Sequence, residues 1–116
     1  MRLIEQQMCN AISQGKDWHK DNTRVEIDAD TNTSAVYLHN NLIATVTDND
    51  VTIYDGGWQT NTTKSRLNAI CSEFCIAGEG VFQKNFQWFV RKFIGESSIT
   101  GKVYKVEDFT NGYVFS

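Results

Sequence analysis

Gly56-Gly57-Trp58-Gln59-Thr60-Asn61-Thr62-Thr63-Lys64-Ser65-Arg66-Leu67-Asn68-Ala69-Ile70, followed by Phe82-Gln83-Lys84-Asn85-Phe86-Gln87-Trp88-Phe89-Val90-Arg91-Lys92, decides the fold. The first run reads as a turn, a polar cap and the opening of an amphipathic helix. A threonine hydroxyl at 62 or 63 can satisfy an orphan N–H of the first turn. The helix then runs from about 63 to 75, with Leu67, Ile70, Cys71 and Phe74 on its buried face. Glycines 78 and 80 break the chain. The second run alternates large apolar and polar residues, as a half-buried strand does. Phe82, Phe86, Trp88 and Val90 project to one side, with Gln83, Asn85, Gln87 and Arg91 opposite. Phe89 and Phe93 interrupt the polar side, so both faces of this strand are expected to carry cover.

Working outward, Ile4, Met8, Ala11 and Ile12 recur at helical spacing up to Gly15, giving a first helix over about 2–14. Val25, Ile27 and Ala29 alternate with Glu26 and Asp28. Strands at Ala35–His39 and Leu42–Thr47 flank Asn40-Asn41, a dipeptide that tolerates the left-handed backbone of a tight hairpin. That loop sets Leu38 opposite Ile43, Val36 opposite Thr45 and Tyr37 opposite Ala44. Asp48-Asn49-Asp50 turns the chain into Val51–Tyr54. Beyond residue 100, Lys102–Phe109 and Tyr113–Phe115 surround Asn111-Gly112, which reads as a hairpin turn. The expected fold class is α+β: one domain over residues 1–116, a largely antiparallel meander sheet with two helices packed on one face.

A chain of 116 residues, 41% hydrophobic and 22% charged, folds without disulfide or metal support. No apolar run approaches a membrane span, and the start lacks a signal-peptide pattern. Three cysteines without CxxC spacing fit free thiols in a reducing compartment. The expected address is therefore cytoplasmic. The net charge of −3 divides unevenly: residues 1–57 carry −5 and residues 58–116 carry +2. Eleven of the 14 aromatic residues also lie in the second half. That coincidence keeps a nucleic-acid surface in view, although +2 is far below the usual basic footprint.

The order of Asn22-Thr23, Leu38-His39-Asn40-Asn41-Leu42-Ile43-Ala44, Gly57-Trp58 with Thr60 and Thr62-Thr63-Lys64, Arg66-Leu67-Asn68-Ala69-Ile70, and the Gln83–Phe89 segment resembles a family of small proteins of tailed phages. Marine and cyanobacterial phages are among those that encode it. The likeness covers about residues 3–92, and Gly-Trp…Thr-Thr-Lys-x-Arg-Leu-Asn is its specific piece. The family often has glycine where this chain has Asn40, the next best residue for a positive φ. The resemblance implies a phage accessory protein, placed in the host cytoplasm, and carries no reaction or ligand with it.

Catalytic parts are few. His19 sits in a charged, solvated stretch, and His39 flanks a hairpin turn. Cys71 faces the predicted core, where a free thiol serves as a small hydrophobe. Cys75 is more exposed and Cys9 borders the first helix's apolar stripe, but no nucleophile has a local base. No catalytic residue is assigned, and the enzyme reading ranks below binding. Cys71 and Cys75 at i, i+4 supply two of the four ligands a structural zinc takes. Asp28-Ala29-Asp30-Thr31-Asn32 opens like a calcium loop, yet Thr33 stands where glycine belongs and His39 where glutamate belongs. It reads as an acidic hairpin loop, so no metal is assigned. Gly56-Gly57 and Gly78-Glu79-Gly80 lack phosphate-loop spacing, and no cofactor is assigned.

Binding is the leading expectation. Six of the nine residues Trp58–Arg66 carry hydroxyl or amide side chains, more than a helix cap requires. Trp58 after two glycines suits an interface anchor. Trp58, Thr60, Asn61, Thr63, Lys64 and Arg66 are the expected recognition surface for a host or phage macromolecule. The competing reading tucks Trp58 over the sheet end and uses the polar run to cap the helix. The alternative function is weak single-stranded nucleic-acid binding, with Phe86 and Trp88 as stacking platforms and Lys84, Arg91 and Lys92 along the backbone path. The plainer account of those aromatics is the core on which helices pack. Self-association through an exposed sheet edge is a further expectation, since nothing in the sequence covers the last strand.

Overall fold

Helix α1, Leu3–Gln14, starts where the Arg2 N–H reaches Glu5 Oε1 at 3.2 Å and stops at Gly15, whose φ of 63° ends it in the left-handed region. The computed structural model describes residues 1–116. After α1 come five strands: β1 (Trp18–Lys20), β2 (Thr23–Asp28), β3 (Thr33–Leu38), β4 (Asn41–Val46) and β5 (Val51–Ile53). Helix α2 (Asn61–Phe74) precedes β6 (Gly80–Lys84), β7 (Gln87–Ser97), β8 (Gly101–Asp108) and β9 (Tyr113–Phe115). The strands form two antiparallel sheets, β1-β2-β3-β4-β5-β9 and β6-β7-β8.

The large sheet buries one face. Its register lines up Val25, Val36, Ala44 and Ile53 in one cross-strand row. Ile27, Ser34, Val46, Val51 and Phe115 form the next. Met8 and Ile12 of α1 and Leu67, Ile70 and Cys71 of α2 complete the same core. The opposite face holds Glu26, Tyr37, Thr45, Thr52 and Val114, all exposed or half-buried. Both helices therefore cover one face of an α+β fold, as the apolar periodicity predicts. The small sheet adds Val81, Trp88 and Val90 to that core.

Four local expectations are corrected. The β3–β4 turn is His39-Asn40, with φ of 51° and 66°, and not Asn40-Asn41. Leu38 pairs with Asn41 and Tyr37 with Leu42; a bulge then sets Val36 opposite Ala44. The bulge has a physical reason. It lets Ile43 and Ala44 both reach the core, fully buried, and returns Val46 to the inner face, where a plain ladder from this turn would send Thr45 instead. Next, α2 is capped one turn earlier, by Thr60, whose Oγ1 accepts from the Thr63 N–H at 3.1 Å.

The third correction concerns the segment from Phe82 to Phe93. It is a hairpin, not one strand: Lys84 pairs with Gln87 across the turn Asn85-Phe86. Trp88 and Val90 then share the inner face with Val81, while Phe82 stacks on Phe89 on the outer face at 5.6 Å. Phe86 has a φ of 64° and is 95% exposed. A left-handed, non-glycine residue costs about 1–2 kcal/mol, and this ring recovers nothing by packing. Phe86→Gly is therefore expected to stabilise the protein by about 1 kcal/mol, read as a rise in the urea midpoint.

Finally, Asn111-Gly112 is a turn but not a hairpin. It carries the chain from β8, paired with β7, to β9, paired with β5 in the other sheet. The Gly112 N–H donates to Ile53 O at 2.9 Å, and Asn111 Oδ1 accepts from the Asp55 N–H at 2.8 Å. These bonds to the end of β5 pull the last strand away from its sequence neighbour. Asn68 ties helix α2 to the small sheet. Its amide accepts from the Val81 N–H at 2.8 Å and donates to Val81 O at 2.9 Å, closing the outer edge of β6. A Cβ on Gly80 would lie 2.6 Å from Asn68 Oδ1, so only glycine admits this clamp.

Candidate functional site

Within the Thr-Thr-Lys-x-Arg-Leu-Asn motif, Thr63, Arg66 and Leu67 face inward. Arg66 is 3% exposed, and its guanidinium meets Glu5 Oε2 at 2.8 Å, Thr23 Oγ1 at 3.1 Å and Asn22 Oδ1 at 3.4 Å. Ser65 adds a hydrogen bond to Glu5 Oε2 at 2.6 Å. Burial pushes the Glu5 carboxyl up, but the bonds from Ser65 and Arg66 outweigh it and hold the pKa below the ordinary 4.5. The cluster joins α1, α2 and β2. Leu67 is fully buried and Asn68 holds β6.

Of the six expected recognition residues, Arg66 and Thr63 are thus removed from the surface. Thr63 is 3% exposed and binds Thr60 Oγ1 at 2.9 Å and Trp58 O at 3.4 Å. Thr60 is the helix cap. Lys64 is half-buried and donates to Gln83 Oε1 at 3.0 Å. Asn61 is exposed at the head of the helix. Trp58 is 73% exposed.

What the structure places beside Trp58 is a cleft of about 280 Å³ between the β3–β4 turn and the loop leading into α2. Leu38 and Ile43 provide apolar lining, Trp58 the aromatic part, and His39, Asn41, Asp55, Thr60 and Thr62 the polar part. Asp55 shapes the loop. Its Oδ1 accepts from the Gly57 N–H at 2.8 Å, which folds Gly56-Gly57 into a tight turn with φ of 69° and 90°. A Cβ at Gly56 would sit 3.1 Å from Ile43 Cγ2, so both the conformation and the space require glycine there. The Gly-Gly-Trp sequence therefore presses the loop against β4 and turns the indole out. His39, Asn41, Asp55 and Thr62 were not legible as site residues. Trp58 after Gly56-Gly57, with Thr60 and Thr63, was the sequence signal that pointed to this place.

The five residues of the nucleic-acid surface do not come together. Trp88 is 2% exposed and Lys92 spends its ammonium on Glu79 Oε2 and Ser116 O, each at 3.0 Å. Arg91 lies on the other face of the small sheet, 4.9 Å over the Tyr104 ring. Lys84 and Phe86 are exposed at the β6–β7 turn.

The remaining chemistry-bearing residues are held quiet. Burial, with Glu73 and Glu5 adding to it, pushes the Cys9 thiol up to about 12. Hydrogen bonding with Cys75 and burial push Cys71 up as well. Both stay protonated and are poor nucleophiles. His19 and His39 are exposed and line a second small cleft with Asp21, Asn22, Arg24 and Asn40, where a His19 ring nitrogen bonds Asp21 O at 3.1 Å. Asp28 Oδ1 accepts from the Asp30 and Thr31 N–H groups, the bonds of an Asx turn. No three His, Cys, Asp or Glu side chains converge as metal ligands would. No helix is long and apolar enough to cross a membrane.

The family model described as Kyanoviridae Gp96 protein matches residues 1–116. No curated protein and no solved structure matches the chain.

Proposed function

We propose, from the premise that this chain belongs to the Kyanoviridae Gp96 family of small phage proteins, that it acts by binding a host or phage protein through Trp58 and the cleft beside it. The exposure of Trp58 carries this reading. Folding gains little from an indole left 73% in solvent. A partner that covers it gains roughly 1.5–3 kcal/mol from its apolar surface, and tryptophan is enriched among the residues that dominate interfaces. The cleft suits a protruding side chain of the partner. The exposed Trp58 ring receives the apolar part, while Asn41, Asp55 and Thr62 bond polar groups at the margin. Asn61, Thr60 and Lys64 extend the contact along the head of α2. The domain, residues 1–116, works in the host cytoplasm as a recognition module without a cofactor or catalytic step.

The test is capture by tagged wild-type protein and Trp58→Ala from host lysate, with and without nuclease, read by mass spectrometry. A partner retained after nuclease and lost with Trp58→Ala, at unchanged Tm, is the expected result. Equal capture by the variant overturns the assignment to Trp58. Capture that nuclease abolishes moves nucleic acid to first place, with Lys84, Phe86 and Arg91 as the residues to change.

A further inference from the structure

Two sheets present four edges, and three of them are short or closed. β1 and β9 are three residues each, and β6, of five residues, has its outer edge taken at Val81 by the Asn68 amide. β8 differs. Its eight residues, Gly101–Asp108, pair with β7 on one side and with no strand on the other. The bulge in this sheet lies in β7, between Phe93 and Gly95, so the β8 edge itself is uninterrupted.

Edge strands are commonly guarded by lysine, whose charge repels an incoming strand. Here Lys102 stands at the start of the strand, and the guard at its centre is neutralised. Lys105 forms an ion pair with Glu107 on its own strand. Between them Val106 points to the opposite face and is 58% exposed. The same hairpin exposes Ile94 at 56% and Ile99 at 91%.

We propose that β8 pairs antiparallel with β8 of a second copy, about a two-fold axis through Val106. An axis perpendicular to the sheet keeps each face on its own side, so opposed residues must be an even number apart along the strand. Centring on Lys105 would set Lys105 against itself. Centring on Tyr104 would oppose Lys102 to Val106 and Val103 to Lys105, with no charge pair. Centring on Val106 opposes Lys105 to Glu107 of the second copy, and Glu107 to its Lys105. The two valines meet on the other face. The charge pattern around Val106 is therefore its own complement, which is the requirement of a two-fold interface. The occupant is a second copy of this chain, and the site is separate from the Trp58 cleft.

Light scattering and sedimentation velocity over a rising concentration series test this. Wild-type protein is expected to pass from monomer to dimer. Lys105→Glu and Glu107→Lys each bring like charges together twice per dimer and are expected to raise the dissociation constant roughly tenfold. The double variant Lys105→Glu/Glu107→Lys restores both opposite-charge pairs and is expected to recover wild-type association. Val106→Asp, which opposes two carboxylates at the axis, abolishes the dimer. Melting curves check each fold; Lys105 and Val106 are exposed, so their variants decide the matter should Glu107→Lys unfold. A monomer at every concentration overturns the proposal. So does a dimer indifferent to Lys105→Glu and Val106→Asp, or a double variant that remains as weak as the single ones.

Discussion

Arg66→Ala is expected to cost about 3–5 kcal/mol, measured by urea unfolding near neutral pH. The loss comes less from the contact than from what it leaves behind. Glu5 is 2% exposed, so removing the guanidinium strands a carboxylate in the junction of α1, α2 and β2, with Ser65 and the Arg2 N–H as its remaining partners. Asn22 and Thr23 lose a donor as well. A Leu/Leu replacement of the pair removes both charges together, and is expected to be much milder than either single change. The pH dependence follows from the direction of the Glu5 shift. Its folded pKa lies below the ordinary 4.5, so its stabilising share is complete above that value and is lost as pH falls through the folded pKa. The gap between wild type and Arg66→Ala should accordingly narrow in acid, where protonated Glu5 no longer needs a cation. A gap of equal size at neutral and acid pH would contradict the stranded-charge account.

Trp88→Ala is expected to be as damaging, about 3–5 kcal/mol, seen as a fall in Tm of roughly 10–25 °C. Trp88 is the largest of the fully enclosed side chains, packed edge-on against Phe109 at 5.3 Å and in the same core cluster as Val81 and Val90. The buried indole N–H has no hydrogen-bond partner, which makes Trp88→Phe informative: it removes an unsatisfied donor along with one ring and should cost distinctly less. The same experiment separates core from platform. An intact Tm in Trp88→Ala together with lost oligonucleotide binding would overturn the core assignment. Phe86→Ala, by contrast, leaves the core untouched.

What the residues reveal in advance follows from what fixes each element. Both helices were legible because Ile4, Met8, Ala11 and Ile12, and Leu67, Ile70 and Phe74, recur at three- and four-residue steps, as one face of a helix does. Most strands were equally plain, but β1 (Trp18–Lys20) lies in a stretch whose charges read as solvated chain. Turn placement was less so, since His39-Asn40 and Asn85-Phe86 put a histidine and a phenylalanine in the left-handed region, where composition alone favours glycine or asparagine. Each misplaced turn changed which side chains face inward, which is how Phe82 and Trp88 came to be assigned one face. The separate small sheet was invisible for another reason. The bonds that send β9 to β5, from Asn111 and Gly112 to Asp55 and Ile53, join residues more than fifty positions apart. At the candidate site, Trp58 stood out by its setting. Arg66 was misread because its partner, Glu5, lies on the other helix, and no local pattern announces a pair that distant.

The late arrival of β9 also sets a timetable. β5 is made about sixty residues before its outer neighbour, Tyr113–Phe115. Ribosomes add roughly 5–20 residues per second, so the nascent β5 waits several seconds with an unpaired edge. Phe115 then has to leave the exit tunnel before its buried place in the core can be filled. The large sheet is therefore completed only after synthesis of its last strand. During that wait β5 presents the unpaired backbone N–H and C=O groups of its outer edge to any incoming strand.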